Sequence, residues 1–536
     1  MSKQTGAQVL VAQLAARGVE RIFGVPGGDC SLDIIEAAKQ VGIDFVVART
    51  ENSAAMMAAA TAELTGSIGV VLTTRGPGLA NGVNGVAYAC LDRTALVLIS
   101  DGYENEQAYI SHQRFDQAQV LQPLLKGTLR LDSPAALPAV GATLDKAMAE
   151  PAGPVYIEVT GLGMRGDVPM GSVPVHVRAE PPGAPPQDAL NAARELLQRA
   201  ARPVIIAGLQ ARGRDQAQAL RELAARLNCP VFSTYKAKGI LPDADPLMTG
   251  SYIGGVAEDP VLREADLVIM YGADPIEFPP QPWRYDMPVL ELATHTHPRH
   301  YFVPAVCVAG DLAAAARALR DGAAASAWDA ARLAEAKAHM RRCARAAGEG
   351  PIDPQTAAEA AMAALPANAR IAVDAGAHMM PVLGLYEAGH PRDVLISRGL
   401  ATMAFALPAA IGASLADPSR PVVAFTGDGG LMMCASELAT AVQAGCRLTV
   451  VVFNDSDMAL IDVKQRRRKL PNAGVRYSPT NFAGVAQGYG ARGWRVERAD
   501  ELAEAFRQAY GHDGPAVVDV VVNPEAYHDQ IRALRG

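Results

Sequence analysis

Short runs of β-branched and aliphatic residues alternate with helical segments along most of the 536-residue chain. The runs at 69–72, 95–99, 422–425 and 448–453 contain almost no polar residues. Such continuous apolar strands, each followed by a helix, are typical of parallel sheets that helices cover on both faces. This feature constrains the fold most, and it predicts an α/β protein built from doubly wound parallel sheets.

Two breaks divide this alternation into three parts. Residues 166–187 are rich in Pro and Gly and have no periodicity, and a second break falls at 348–351. A chain of this length is too long for one hydrophobic core. We therefore predict three α/β domains, at 1–165, 188–325 and 352–536.

Charge and cysteine usage argue against several classes of function. The formal net charge of −7 argues against nucleic-acid binding. A short basic run at 464–469 does not reverse this, and we interpret it as a solvated helix face. The seven cysteines are dispersed without C-x-x-C spacing, which is typical of reduced thiols in the cytoplasm. No segment has the apolar length of a membrane span, and the N-terminus has no signal-peptide pattern. We expect a cytoplasmic protein without nucleic-acid or membrane partners.

Two acidic turns follow neighbouring strands in the third domain. Residues 427–430 (GDGG) follow one strand, and residues 454–457 (NDSD) follow the next. One crossover through a helix at 433–444 would bring the two strand ends side by side. Ligands of open parallel sheets lie beyond these carboxyl ends, where carboxylate and carbonyl oxygens suit Mg²⁺. We expect Gly429 and Gly430 to open a helix and aim backbone N–H groups at a phosphate.

This pair of turns resembles the metal–diphosphate motif of thiamine-diphosphate-dependent enzymes of the acetolactate synthase and pyruvate decarboxylase superfamily. In that family G-D-G is followed, at the end of the next strand, by N-N. The resemblance implies thiamine diphosphate and Mg²⁺ as cofactors, with the metal held by the side chains of Asp428 and Asp455 and the carbonyl of Asp457. Asp455 departs from the usual Asn and adds a negative charge beside the diphosphate.

Two more segments extend the resemblance, which is strongest to large subunits of acetolactate synthase. Residues 397–413 (SRGLATMAFALPAAIGA) are similar to G-L-G-T-M-G-F-G-L-P-A-A-I-G-A, and residues 374–378 (DAGAH) resemble a diphosphate-contacting turn. The resemblance implies that Met403 bends the cofactor, that the Ala401 carbonyl accepts from its 4′-amino group, and that His378 donates to phosphate. Ala401 replaces the usual Gly. The other residues implied to contact the cofactor here are Ala377, Gly427, Gly429, Gly430, Met458, Ala459 and Leu460.

The first domain carries three segments of the same family. Residues 23–28 (FGVPGG) resemble F-G-x-P-G-G, residues 49–58 (RTENSAAMMA) resemble R-H-E-x-x-A-A-x-x-A, and residues 73–81 (TTRGPGLAN) resemble T-S-G-P-G-x-x-N. The resemblance makes Glu51 the activating acid, which donates a proton to ring nitrogen N1′ of the cofactor. It also implies that the pyrimidine is contacted by Val25, Pro26, Thr74, Pro77 and Asn81.

The resemblance also implies an oligomer. In this family the activating acid of one subunit faces the metal turn of another, so that a single chain cannot complete the site. We therefore expect a homodimer as the minimal active species, and a homotetramer as the common assembly.

Residues that separate the reactions of this family favour carboligation over simple decarboxylation. Decarboxylases of the pyruvate type have an acidic residue in place of Gly28, a His-His pair in place of His112-Gln113, and a Glu in place of Ile461. Those proton donors are missing here. Residues 112–116 (HQRFD) instead keep the Q-x-x-D spacing of acetolactate synthases. By that match Gln113 would orient the acceptor, and His112 would act as an acid or base on the substrate.

Two features argue against a standard biosynthetic acetolactate synthase. Lys464 stands where those enzymes have the Trp that selects the acceptor. The segment 272–280 lacks their flavin-contacting R-F-D-D-R pattern, so we expect no FAD. We predict a flavin-free transferase or lyase that decarboxylates a 2-keto acid such as pyruvate and transfers the acyl unit to a second carbonyl. The residues expected to line the substrate pocket are Gly28, Leu460, Ile461 and Lys464.

Four alternatives stay open at this point. One is a plain 2-keto acid decarboxylase, and another is a lyase or decarboxylase of 2-hydroxyacyl-CoA or oxalyl-CoA that binds CoA in the central domain. A flavin-dependent oxidase is a third. A non-catalytic homologue is the fourth, and the intact Glu51, Met403 and Asp428 argue against it.

Overall fold

The computed structural model of the chain describes residues 3–107, 109–175, 177, 182–345 and 350–535. Parts of the two predicted breaks, at 166–187 and 348–351, therefore lie outside the described residues. Strands and helices alternate as the sequence predicts, and they form three six-stranded parallel sheets. The α/β prediction is thereby confirmed. No helix in the described part of the chain is long and apolar enough to cross a membrane.

The first sheet lies in the N-terminal part of the chain. Its strands are β2 (Arg21–Val25), β3 (Asp44–Val47), β4 (Gly69–Thr73), β5 (Leu96–Asp101), β6 (Gly127–Leu131) and β7 (Pro154–Val159). The helices here are α1 (Gly6–Ala15), α2 (Cys30–Gln40), α3 (Glu51–Thr65), α4 (Pro77–Leu91), α5 (Gln117–Leu121), α6 (Ala139–Met148) and α7 (Gly161–Arg165). The strand order is β3-β2-β4-β5-β7-β6. A short antiparallel pair, β1 (Lys3–Thr5) with β8 (Asp167–Pro169), flanks this sheet.

The central sheet has a different strand order. Its strands are β9 (Pro203–Ala207), β10 (Val231–Ser233), β11 (Met248–Ser251), β12 (Leu267–Tyr271), β13 (Val289–Ala293) and β14 (Val306–Ala309). Its helices are α8 (Gln187–Arg199), α9 (Arg214–Leu227), α10 (Asp259–Leu262), α11 (Leu312–Arg320) and α12 (Ala330–Cys343). The order β11-β10-β9-β12-β13-β14 reverses between β9 and β12. Such a reversal opens a crevice at the carboxyl ends of the strands.

The third sheet repeats the strand order of the first. Its strands are β15 (Arg370–Val373), β16 (Val394–Ile396), β17 (Val422–Gly427), β18 (Leu448–Asn454), β19 (Arg492–Val496) and β20 (Ala516–Val521). Its helices are α13 (Pro354–Ala363), α14 (Met379–Leu385), α15 (Ala406–Ala416), α16 (Asp428–Cys434), α17 (Glu437–Gln443), α18 (Ala459–Arg467), α19 (Phe482–Gly488), α20 (Leu502–Tyr510) and α21 (Ala526–Arg535). The order is β16-β15-β17-β18-β20-β19.

The connection between β17 and β18 differs from the prediction. The two strands are parallel neighbours, as expected. The single helix predicted at 433–444 is wrong, because two helices, α16 and α17, fill this connection. The first of them begins at Asp428, so Gly429 and Gly430 are helical although glycine is a weak helix former.

Close contacts join the first and third sheets within one chain. The backbone of Gly412 on α15 lies so near the Met57 carbonyl of α3 that a Cβ would clash there. Glu437, the first residue of α17, is fully buried. Its carboxylate accepts from the backbone N–H groups of Arg49 (3.1 Å) and Thr50 (2.9 Å), which precede α3.

A buried lysine ties all three sheets together. Lys236, which follows β10, is almost completely buried. Its Nζ lies 3.1 Å from Glu63 and 3.0 Å from Asp92 of the N-terminal part, and it donates to the Ile396 carbonyl at the end of β16 (3.1 Å). Asp92 also accepts from the backbone N–H of Arg398 (2.9 Å). We call Lys236, Glu63 and Asp92 the ionic hub.

Candidate active site

A cavity of about 310 Å³ opens at the carboxyl ends of β15, β17 and β18. The order of the third sheet reverses between β15 and β17, and ligands of doubly wound sheets lie at such a point. The predicted site residues that line the cavity are Ala377, His378, Ala401, Met403, Gly427, Asp428, Gly429, Gly430, Asp455, Asp457, Met458, Ala459, Leu460, Ile461 and Lys464. The structure thus brings the whole set predicted in the third domain to one place.

Asp428 is held in a fixed orientation at the start of α16. Its Oδ1 accepts from the N–H of Gly429 (2.7 Å) and from the Tyr477 hydroxyl (2.6 Å), and its Oδ2 accepts from the N–H of Ser456 (2.6 Å). The N–H of Gly429 therefore donates to this carboxylate, where the sequence predicted that it would face a phosphate. The Tyr477 hydroxyl also lies 3.3 Å from the Asp457 carbonyl. It therefore bridges two of the three predicted metal ligands.

Asp428, Asp455 and Asp457 form a cluster of carboxyl groups that are buried or half-buried. Burial raises the pKa of Asp428, and burial together with the charge of Asp428 raises the pKa of Asp455 well above its usual range. Asp457 is buried, and its Oδ1 has no hydrogen-bond partner. Its Oδ2 lies 3.5 Å from Arg476. Oxygen donors that repel one another in this way fit a hard divalent cation such as Mg²⁺.

His378 faces the same cavity from the loop after β15. Its side chain is buried, its ring stacks on Phe453 with 5.6 Å between centroids, and its Nε2 has no hydrogen-bond partner. Burial lowers the pKa of His378 to about 4, against a smaller opposing effect of the Phe425 backbone, so the imidazole is neutral at pH 7. An orphaned buried nitrogen at this place fits an anionic ligand such as a diphosphate.

Asp374 fixes the loop at 397–405, between β16 and α15, which we call the Met403 loop. This carboxylate is buried at the end of β15 and accepts from the backbone N–H groups of residues 404–406 (3.2, 2.7 and 2.7 Å). The Thr426 hydroxyl donates to it as well (2.6 Å). Four donors to one carboxylate hold the Met403 loop against β15 and β17.

The Met403 loop has a strained backbone. Ala401 has φ of +52° and Ala404 has φ of +62°. Residues with a Cβ rarely adopt this left-handed region, and glycine adopts it freely. The departure from Gly at Ala401 therefore falls on a position where the backbone favours glycine.

The two glycines of α16 are required by close contacts. A Cβ on Gly430 would clash with the Asp374 carboxylate, which cannot move because its four donors hold it. A Cβ on Gly429 would lie 3.2 Å from the end of Met403 and 3.1 Å from the Tyr477 hydroxyl. The glycines let α16 approach the Met403 loop, which is a different reason from the one that the sequence predicted.

Glu51 lies in a second cluster, on the first sheet. It is the first residue of α3 and is buried, and Thr50 caps the helix by accepting from the Ser53 N–H (3.2 Å). The amide of Asn81 donates to Glu51 Oε2 at 2.6 Å. A Cβ on Gly78 would lie 3.0 Å from Glu51 Oε1, so the glycine leaves room for the carboxylate.

The structure keeps the two clusters apart within one chain. Among the described residues, none of the first-domain site residues lines the cavity at Asp428. These residues are Val25, Pro26, Gly28, Glu51, Thr74, Pro77, Asn81, His112 and Gln113. His112 and Gln113 lie in an exposed loop, where the Tyr103 hydroxyl donates to the His112 carbonyl (2.6 Å) and Gln113 has φ of +64°. The geometry of a single chain therefore gives two half-sites.

Sequence reasoning gave no role to several residues that line the cavity, and two of them, Tyr477 and Asp374, orient other residues of the site. Tyr477 lies between α18 and α19, in a segment without periodicity, and no signal in the sequence points to it. Asp374 was part of the DAGAH segment but received no role. Its position directly after a predicted strand was the signal that could have identified it.

Comparison with known proteins agrees with this geometry. The family models "Thiamine pyrophosphate enzyme" match the chain with the N-terminal TPP binding domain at 4–121, the central domain at 190–319 and the C-terminal TPP binding domain at 374–520. The chain is 30% identical to a probable 2-ketoarginine decarboxylase of Pseudomonas aeruginosa, over 96% of this chain and 94% of that protein.

Two acetolactate synthases are similar over equally long stretches. The chain is 29% identical to an acetolactate synthase of Bacillus subtilis, over 99% of this chain and 94% of that protein. It is 27% identical to a catabolic acetolactate synthase of Raoultella terrigena, over 97% and 95%.

The three sheets and the two half-sites define a cofactor-dependent α/β enzyme. The chain belongs to the thiamine pyrophosphate enzyme family. It is a thiamine-pyrophosphate-dependent enzyme of the acetolactate synthase type that forms or cleaves C–C bonds. The resemblance seen in the sequence is confirmed, and so is the prediction that the chain is an enzyme.

Proposed function

We propose that this enzyme is a Mg²⁺-dependent carboligase that decarboxylates a 2-keto acid such as pyruvate and transfers the acyl unit to a second carbonyl compound. The observation that carries the proposal is the cavity at Asp428, in which an acidic cluster lies beside Leu460 and Ile461, whose side chains offer no proton. The names of the two acetolactate synthases support the same reaction.

Mg²⁺ would be held by the Asp428 and Asp455 side chains and the Asp457 carbonyl. The supporting observations are the pKa of Asp428, which burial raises, and the pKa of Asp455, which burial and the charge of Asp428 raise. A divalent cation removes that repulsion and bridges phosphate oxygens. His378 would then bind the diphosphate through its free Nε2.

When bound, thiamine diphosphate would supply a carbon nucleophile for a 2-keto carbonyl and an electron sink for decarboxylation. Glu51 would act through Oε1 on the ring nitrogen N1′, because the Asn81 amide donates to Oε2 at 2.6 Å and holds the carboxyl group in place. Gly28 and Ile461 offer no proton to the substrate carbon, which favours a second carbonyl as the acceptor. Lys464 lines the cavity, and its ammonium group would attract the carboxylate of a 2-keto acid.

We further propose that the active species is a homodimer at least, and that the enzyme assembles as a homotetramer. The support is the separation of Glu51 from the Asp428 cavity within one chain. A second copy that offers its Glu51, Gln113 and His112 to this cavity would complete the site.

The test is NMR of the purified protein with thiamine diphosphate, Mg²⁺ and pyruvate, with and without an added aldehyde. Acetolactate or a mixed acyloin is the expected product. Glu51→Gln keeps the shape of the side chain and should lower the rate about 10²- to 10⁴-fold, because proton transfer to N1′ is lost. Acetaldehyde as the sole product would contradict carboligation.

One observation favours a second candidate, simple decarboxylation of a larger 2-keto acid. The Pseudomonas relative is named as a probable 2-ketoarginine decarboxylase. Lys464 argues against a guanidinium-bearing substrate in this cavity, because like charges repel. The same NMR assay with 2-ketoarginine decides between the two, since the decarboxylase would release the aldehyde from that substrate and leave pyruvate unchanged.

A further inference from the structure

A second group of ligating side chains lies in the central domain. Three histidines follow β13 in the order H-x-H-x-x-H, at His295, His297 and His300. Asp274 follows β12, the parallel neighbour of β13, and is fully buried. The ligand atoms of Asp274, His295 and His297 all lie within 4.8 Å of one another. This group sits next to the point where the order of the central sheet reverses, where ligands of such sheets bind.

The hydrogen bonds of His297 leave its Nε2 with a lone pair. Its side chain is only 4% exposed, and its Nδ1 lies 2.7 Å from the Glu291 carboxylate, which can only accept. Nδ1 therefore carries the proton. The amide oxygen of Gln210 accepts from the Thr294 N–H (2.9 Å), which turns the amide nitrogen toward His297 Nε2 at 3.1 Å. Metal-ligating histidines commonly have this arrangement, in which the second ring nitrogen donates to a carboxylate.

His295 is held in the same tautomer by a different partner. The Thr294 hydroxyl donates to the Gln210 amide oxygen (3.2 Å), so its own oxygen accepts from His295 Nδ1 at 3.0 Å. The Nε2 of His295 is left with a lone pair as well. Two neighbouring imidazoles with ring centroids 4.8 Å apart thus both offer the nitrogen that a metal requires.

Asp274 supplies the third donor. Its carboxylate accepts from Arg93 Nε (2.9 Å) and Nη2 (3.3 Å) and from the Ile276 N–H (3.0 Å). A carboxylate offers about four lone pairs, so about one is left on Asp274 for a cation. Close by, the Nε2 of His300 is buried without a hydrogen-bond partner, and its ring centroid lies 6.0 Å from that of His297.

We propose that Asp274, His295 and His297 bind one divalent transition-metal ion, with Zn²⁺ as the best-suited ion. Imidazole nitrogens prefer such ions to Mg²⁺, and two His with one carboxylate leave a fourth position for water or a further side chain. Tetrahedral ligands at about 2.1 Å lie about 3.4 Å apart, so the three side chains close inward and the Gln210 amide turns away. The ion would cross-link the loops after β12 and β13. This site is independent of the proposed function at Asp428.

The test uses tag-free protein loaded with thiamine diphosphate and Mg²⁺. The protein is equilibrated with Zn²⁺, dialysed, and analysed for zinc by mass spectrometry, and Co²⁺ titrations follow the visible absorption of the bound ion. We expect one zinc per chain and an intense Co²⁺ band. His295→Gln and His297→Gln should each weaken binding at least about 100-fold, and Glu291→Gln about 10- to 100-fold, because it orients His297.

His512→Gln is the matched control, since His512 lies near Trp494, away from the central sheet. It should bind zinc as the unchanged protein does. Thermal unfolding of each variant before metal addition shows whether the fold is retained, and Glu291→Gln tests the site while both proposed histidine ligands remain. Absence of bound zinc, or equal zinc binding by His297→Gln and His512→Gln, would overturn the proposal.

Discussion

His378 is a neutral imidazole in a cavity that we propose to receive a diphosphate. The Phe425 backbone favours the charged form of the ring, and a charged imidazolium donates to a phosphate through Nε2 more strongly than the neutral ring does. Binding of the anion should therefore raise the pKa of His378 from about 4. The residue thus couples cofactor binding to proton uptake.

This coupling gives a prediction about pH. At pH 7 the free protein has His378 unprotonated, so cofactor binding should take up as much as about one proton, and affinity should fall as the pH rises. Calorimetry in two buffers of different ionisation enthalpy measures the uptake. His378→Gln, which can donate without a charge, should bind without uptake. Identical heats in both buffers for the unchanged protein would contradict the prediction.

Tyr477 gives a second prediction at this scale. Its hydroxyl orients Asp428 Oδ1 and lies beside the Asp457 carbonyl. Tyr477→Phe removes this support and should weaken Mg²⁺ binding about 10-fold, as loss of an orienting partner does in other metal sites. The Mg²⁺ dependence of cofactor binding, followed by fluorescence, measures the effect. Tyr489→Phe, at an exposed position, is the control. Tighter Mg²⁺ binding in Tyr477→Phe would show that the hydroxyl occupies the place of the ion.

Among the elements of the fold, the Met403 loop has a backbone conformation that its alanine residues disfavour. Ala401 is exposed and left-handed, so Ala401→Gly removes strain without loss of packing. We expect stability to increase by about 0.5–1 kcal/mol. Ala192→Gly, at an exposed position inside α8, is the matched control and should decrease stability by about 1 kcal/mol. Thermal midpoints measure both, and a decrease of similar size in the two variants would refute the assignment of strain.

The strands that the sequence failed to predict share a position in the sheets. The runs in β4, β5, β17 and β18 were found because these inner strands are buried on both faces and read as continuous apolar runs. Within the three six-stranded sheets the missed strands are β6, β11, β14, β16 and β19, and each lies at an edge of its sheet. Several edge strands are half-exposed, and β16 is too short to form a recognisable run, so no apolar pattern marks them.

The residues of the candidate site also fall into those that the sequence predicts and those that it does not. Residues on strand ends, such as Asp428 and Asp455, were predictable because the alternation of strands and helices places them together. The role of the Asp374 carboxylate and the position of Tyr477 depend on contacts between distant loops. Only the folded chain shows those contacts.

At the scale of the molecule, the ionic hub should stabilise the arrangement of the three sheets. Lys236→Met fills a similar volume but leaves Glu63 and Asp92 buried without this counter-ion, which should cost about 3–5 kcal/mol. We expect a lower Tm by differential scanning fluorimetry. Lys39→Met, at an exposed position on α2, should leave Tm unchanged. An unchanged Tm in Lys236→Met would mean that apolar packing alone holds the sheets together.

The same hub limits how this chain can be recombined with its relatives. The first and third sheets share one strand order, so they look like modules that could be exchanged at the linkers. An exchange that replaces Glu63 and Asp92 without Lys236 would leave an ammonium group sealed inside the chimera. A chimera should therefore take all three residues of the ionic hub from the same parent, even where this moves the crossover points away from the linkers.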